Sequence, residues 1–144
     1  MKILVIGDLH GALEKLKKMP LKEADLILLT GDIGNSDFVR KMSFENIRRE
    51  MEGLEEKEYS QIQRKRAFMQ AYTSTMRGVN LLRKFAPVYT IFVNVESSNP
   101  ETRKLSDNLG VQLPLLTNEL NSLANVRVIN NRVANFRGIR IGGL

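Results

Sequence analysis

Short apolar runs recur along this chain, and each of the first three stops abruptly at a polar cluster. Ile3–Ile6 runs into "GDLHG", Leu26–Leu29 into "TGDIGN", and Val88–Val93 ("VYTIFV") into "NVES". Val126–Ile129 is a shorter fourth run. Runs of this length, apolar at successive rather than alternate positions, predict strands of a parallel sheet covered on both faces. Helical spacing fills the gaps. Ala12–Met19 carries Leu13, Leu16 and Met19 on one side and lysines on the other, and Pro20 stops it. Ser43 is placed to cap a helix reaching Leu54. A longer helix is predicted over Ser60–Lys84, with an apolar stripe that includes Met69, Tyr72, Met76 and Val79. Asn99-Pro100-Glu101 reads as a helix start, and Gly110 as its end. Thr117–Leu123 reads as a further short helix.

Strand and helix thus alternate, which predicts an α/β domain with a mainly parallel sheet. The last stretch, "NNRVANFRGIRIGGL", differs. Val133–Phe136 and Ile139–Ile141 flank Arg137-Gly138 and predict an antiparallel hairpin. The length of 144 residues fits one domain. No apolar run approaches the ~20 residues of a membrane span. Lys2 is followed by too short an apolar run for a secretory signal. The chain has no cysteine, which excludes disulfides and thiolate metal sites. A cytoplasmic protein is expected.

The net charge is +6, but acidic residues interleave with most of the basic ones, as in "MEGLEEKEY". This reads as a solvated surface. No aromatic stacking pattern accompanies it, which argues against nucleic acid as a partner.

In open parallel sheets ligands bind beyond the carboxyl ends of the strands. There this chain places Asp8 and His10, then Asp32, then Asn94 and Glu96. Carboxylate, imidazole and amide donors together suit a hard or borderline divalent cation. Asp8 and His10 are two residues apart, so in extended backbone they leave on one side and can chelate one ion. His10 is the only histidine in the chain. Taken alone, "GDLHG" fits equally a helix-capping aspartate beside a surface histidine. "GDIGN" at the next strand end favours the metal site, and Asp32 there could bridge two ions. Gly7, Gly11, Gly31 and Gly34 allow the tight turns such a site requires.

In order, "GDLHG", "TGDIGN" and "FVNVES" resemble the first three motifs of the calcineurin-like metallophosphoesterases: D-x-H, G-D-x-x and G-N-H-[DE]. The resemblance spans essentially the whole chain. It implies a metallophosphoesterase-like α/β sandwich whose second sheet is truncated here to the terminal hairpin. It also implies a metal-dependent hydrolase of phosphomonoesters or phosphodiesters, with Mn, Fe, Zn or Mg as cofactor, one or two ions per chain. By that resemblance Asp8 and His10 bind the first metal, Asp32 bridges both, and Asn94 binds the second. In the third motif Val93 replaces the glycine and Val95 the histidine, and the family's later histidines are absent. The resemblance therefore implies weak or lost activity, or alternatively a non-catalytic, protein-binding scaffold on the same fold. Relative to the family, residues 1–144 are expected to form one domain that is incomplete at its C-terminus. A homo-oligomer or a complementing chain is expected at the edge formed by Ile139–Ile141.

Overall fold

A computed structural model describes residues 1–144. Its parallel sheet has four strands in sequential order: β1 (Ile3–Ile6), β2 (Leu26–Leu29), β3 (Val88–Thr90) and β4 (Val126–Val128). The registers are Ile3 with Leu26, Ile27 with Val88, and Val88 with Val126. Five helices lie in the connections: α1 (Leu13–Leu16), α2 (Asp37–Met51), α3 (Gln61–Leu82), α4 (Asn99–Leu109) and α5 (Leu116–Ser122).

One face of the sheet carries the main core. Ile6, Ile27, Leu29, Val88 and Val126 meet Leu16 of α1, Val79 and Leu82 of α3, and Leu116 and Leu120 of α5. Side chains such as Ile27, Val79 and Leu82 are fully buried, each worth roughly 1.5–3 kcal/mol of transfer free energy. The opposite face takes the antiparallel hairpin of β5 (Arg132–Phe136) and β6 (Ile139–Gly143). Its Ala134, Phe136 and Ile141 pack on Leu26, Tyr89 and Ile129. Tyr89 and Phe136 meet edge to face, with ring centroids 6.1 Å apart. Arg137 Nη1 donates to Asp25 Oδ1 at 2.8 Å and ties the hairpin turn to the sheet. The α/β class, the parallel sheet and the antiparallel hairpin at the end of the sequence are as the sequence predicts.

The sheet is not covered on both faces throughout. The hairpin reaches β2, β3 and Ile129 just past β4 but leaves β1 bare, and Val5 is 60% exposed. Several boundaries also differ from those the local periodicity suggests. Strand β3 ends at Thr90 rather than Val93, because beyond it Phe92 turns to the Asn130 side chain. Phe92 N–H donates to Asn130 Oδ1 at 2.9 Å, and Asn130 Nδ2 donates back to Phe92 O at 3.2 Å. Helix α2 starts at Asp37, not after Ser43, because side chains satisfy its first-turn donors. Asp37 N–H donates to Asn35 Oδ1 and Phe38 N–H to Gln70 Oε1. Expected over Ala12–Met19, α1 shortens to one turn, since Gly11 and Ala12 are held in a turn and Ala12 offers no side-chain cap. Strand β6 runs on to Gly143, where a β-carbon would strike Ile129 O.

The long helix is as predicted. Ser60 caps α3 in a reciprocal box with Gln63. Ser98 does the same for α4 with Glu101, and Gly110 closes that helix with φ of 64°. No helix is long and apolar enough to cross a membrane.

Candidate metal centre

The loops after β1 and β2 are zipped together by backbone hydrogen bonds. Asp8 N–H donates to Gly31 O at 3.3 Å, His10 N–H to Asp32 O at 2.9 Å, and Gly11 N–H to Ile33 O at 2.8 Å. This pairing carries the parallel ladder of β1 and β2 past the strand ends and sets Asp8, His10 and Asp32 side by side. One ligand atom from each lies within 4.8 Å of the others. His10 Nε2 and Asp8 Oδ1 are 4.0 Å apart, with side chains 40% and 81% exposed.

The convergence does not come from extended backbone, as the spacing of Asp8 and His10 suggests. All three residues have left-handed backbone: φ is 50° at Asp8, 46° at His10 and 53° at Asp32. A side chain other than glycine pays for that conformation, and such strain persists where surrounding contacts over-determine it, often at functional sites. The turns aim both side chains of "GDLHG" into the gap beside Asp32. Two oxygens and one imidazole nitrogen, reachable from solvent, are a donor set that fits a divalent cation.

Asn94 reaches this cluster through its backbone. Its N–H and that of Val95 both donate to Asp32 Oδ1, at 3.1 and 3.0 Å. Asp32 Oδ2 takes no hydrogen bond and remains free. Glu96 answers from the other loop. It is 4% exposed, and its carboxylate accepts from Asp32 N–H at 3.0 Å, Ile33 N–H at 2.7 Å and Gly34 N–H at 3.1 Å. Glu96 is thus the loop's anchor, a role the sequence hides. The available signal is an acidic residue in the third strand-end cluster, facing a Gly-Asp turn with unpaired amides.

The two valines of the third motif have packing roles. Val93 sits over Gly31, whose φ of 98° and lack of a β-carbon allow that approach. Val95 Cγ1 lies 3.2 Å from where a β-carbon on Gly34 would sit, and its side chain lines a cavity of about 220 Å³. Val39, Met42, Phe68, Tyr72 and Leu105 line the same space. Phe68 and Tyr72 stack there, 6.1 Å between centroids. Burial, with a smaller contribution from Glu119, pushes the Tyr72 hydroxyl above its usual range and keeps it protonated.

Residues 1–140 match the family model described as calcineurin-like phosphoesterase. One solved crystal structure is similar in fold, with a TM-score of 0.56 at 15% identity. The alignment covers 94% of this chain and 49% of that one, so the chain spans about half the length of its structural relative. No curated protein matches it by sequence. With the family match running from residue 1 to residue 140, the chain belongs to the calcineurin-like phosphoesterase family.

Proposed function

We propose that this domain is a metal-dependent phosphoesterase with low intrinsic activity. The observation that carries this reading is the convergence of Asp8, His10 and Asp32 within 4.8 Å at the carboxyl edge of the sheet. Asp8 and His10 would hold one ion. Asp32, whose Oδ2 the hydrogen bonds from residues 94 and 95 leave free, would also hold it and would bridge to a second ion. The Asn94 amide would complete the second position. Mn²⁺, Fe, Zn²⁺ or Mg²⁺ suit these donors. When bound, such ions neutralise charge on the phosphoryl oxygens and activate water.

The chain's own residues contribute position and charge. Asp32 and Glu96 hold the two loops in register, so that the donors are organised before an ion arrives. No side chain at Val95 can donate a proton to a leaving oxygen, and His10 is committed as a ligand. An aryl phosphate needs least help, because its phenolate leaves without a proton. We expect Mn²⁺-dependent hydrolysis of activated aryl phosphates or phosphodiesters and almost none of alkyl phosphates. The cysteine-free composition supports a cytoplasmic setting. The Ile139–Ile141 edge of the hairpin, whose β6 pairs outside β5 only through the bridge of Gly143 with Asn130, is the expected place for a second copy or a complementing chain.

The test is a rate comparison with and without Mn²⁺, using p-nitrophenyl phosphate and an alkyl phosphate. Metal-dependent turnover of the aryl ester alone supports the reading. Robust turnover of the alkyl ester would overturn the assignment of low activity. No turnover together with no metal binding would leave the scaffold reading, which the loss of the motif histidine at Val95 favours.

A further inference from the structure

Helix α2 buries none of its residues. One side of it is half-buried: Phe38, Met42, Glu45, Asn46 and Arg49 face the body of the domain. There Tyr59 OH donates to Met42 O and Glu45 Oε2, and Arg49 Nε donates to Glu55 O. On the opposite side lie Phe44, Ile47 and Met51, exposed to 62%, 50% and 84%, with Leu54 just past the helix end. Their spacing of three, four and three is that of a helix–helix seam. A contiguous stripe of large apolar side chains turned away from its own core is an interaction surface, not scattered surface hydrophobicity.

The charges beside the stripe specify the partner. Its N-terminal part carries Arg40 and Lys41, and its C-terminal part carries Glu50 and Glu52. None of the four takes part in an ion pair within the chain. The helix as a whole is mixed in charge, with Asp37 in its first turn and Arg48 and Arg49 in its last, but at 3.6 residues per turn Lys41 and Glu52 fall on the same edge of the stripe near opposite ends, so an antiparallel copy brings these unlike charges together. We infer that α2 docks against α2 of a second copy of this chain about a two-fold axis. The axis passes near Ile47, so that Ile47 meets its counterpart and Phe44 of each copy meets Met51 of the other. Lys41 then falls beside Glu52 of the second copy, twice by symmetry. Arg48 lies close to the axis, on the solvated rim of the contact. A seam between two helices of 15 residues buries on the order of 1,000 Å², the lower end of specific interfaces. The dimer is therefore concentration-dependent.

The absence of cysteine makes the test direct. Sedimentation equilibrium over a concentration series is expected to show a reversible monomer–dimer equilibrium. Phe44→Glu should weaken it by roughly tenfold or more and leave the far-UV circular dichroism of the monomer unchanged, because that side chain is 62% exposed and belongs to none of the chain's buried apolar clusters. Lys41→Glu and Glu52→Lys should each weaken the dimer, and the double exchange should restore it. Under oxidation Ile47→Cys should give a disulfide-linked dimer, whereas Val133→Cys on the hairpin should not. A chain that stays monomeric at every concentration would overturn the inference. So would a dimer indifferent to Phe44→Glu, or one cross-linked at position 133 instead of 47. None of these readouts depends on metal or on turnover, so the inference stands or falls apart from the proposed activity.

Discussion

Asp32 and Glu96 hold each other's loops. Asp32 Oδ1 accepts the N–H groups of Asn94 and Val95, and the Glu96 carboxylate accepts those of Asp32, Ile33 and Gly34. Five charge-assisted hydrogen bonds thereby join the ends of β2 and β3. Each side chain satisfies backbone donors that a sharp turn leaves without a ladder partner. The exchange fixes one oxygen of Asp32 and presents the other.

Removing the acceptor at Glu96 should therefore loosen Asp32. Glu96→Ala orphans three N–H groups and is expected to cost about 2–4 kcal/mol in urea unfolding. Glu96→Gln keeps the shape and one acceptor oxygen and should cost about 1–2 kcal/mol. In the Gln variant Mn²⁺ affinity should fall with the fold intact, which calorimetry and circular dichroism measured together will show.

Asp32→Asn tests the metal centre itself. Asparagine can still accept from residues 94 and 95 but brings no charge to the free side. Mn²⁺ binding should be lost while stability changes by less than about 1 kcal/mol. Equal Mn²⁺ affinity in the two proteins would remove Asp32 from the ligand set.

Restoring the family's histidine at position 95 should not restore activity. The Val95 side chain lies among Met42, Phe68, Tyr72 and Leu105, so Val95→His places an imidazole against an apolar wall. The expected result is a lower Tm, by about 1–3 kcal/mol of lost stability, and a rate on p-nitrophenyl phosphate that does not rise. A clear rise in kcat would show that this segment can turn its side chain toward Asp8, His10 and Asp32.

The N-cap of α4, two residues beyond Glu96, should respond to acid. Glu101 Oε2 accepts from Ser98 N–H and Oγ–H, both at 2.8 Å. These bonds, the backbone one foremost, hold its pKa below the ordinary 4.5. A carboxyl depressed on folding stabilises the fold above its unfolded pKa, and that contribution is lost as pH falls through the folded value. Ser98→Ala should cost about 1 kcal/mol at neutral pH. In an NMR titration it should raise the Glu101 pKa only in part, because the backbone N–H of residue 98, the larger cause of its depression, remains.

The layout of this domain is legible along the chain because its causes are local. Apolar runs of strand length, the 3.6-residue stripe of α3, Asn99-Pro100-Glu101 as a helix start, and Gly110 as a stop all act within a few residues. So does the grouping of Asp8 with His10, and the rule that ligands gather at strand ends adds Asp32. The tertiary structure decided what depends on segments distant in sequence. Glu96 reads as a possible ligand or a degenerate motif position until its carboxylate is seen on amides 62 to 64 residues away. Val95 reads as a missing histidine until it is found lining a cavity between helices. Helix α2 starts before Ser43 because Gln70, 32 residues distant, caps its first turn. Val5 reads as covered until the hairpin proves to stop short of β1. Backbone periodicity sets which element forms. Through-space pairing of donors, acceptors and apolar faces sets where it ends and what each side chain meets.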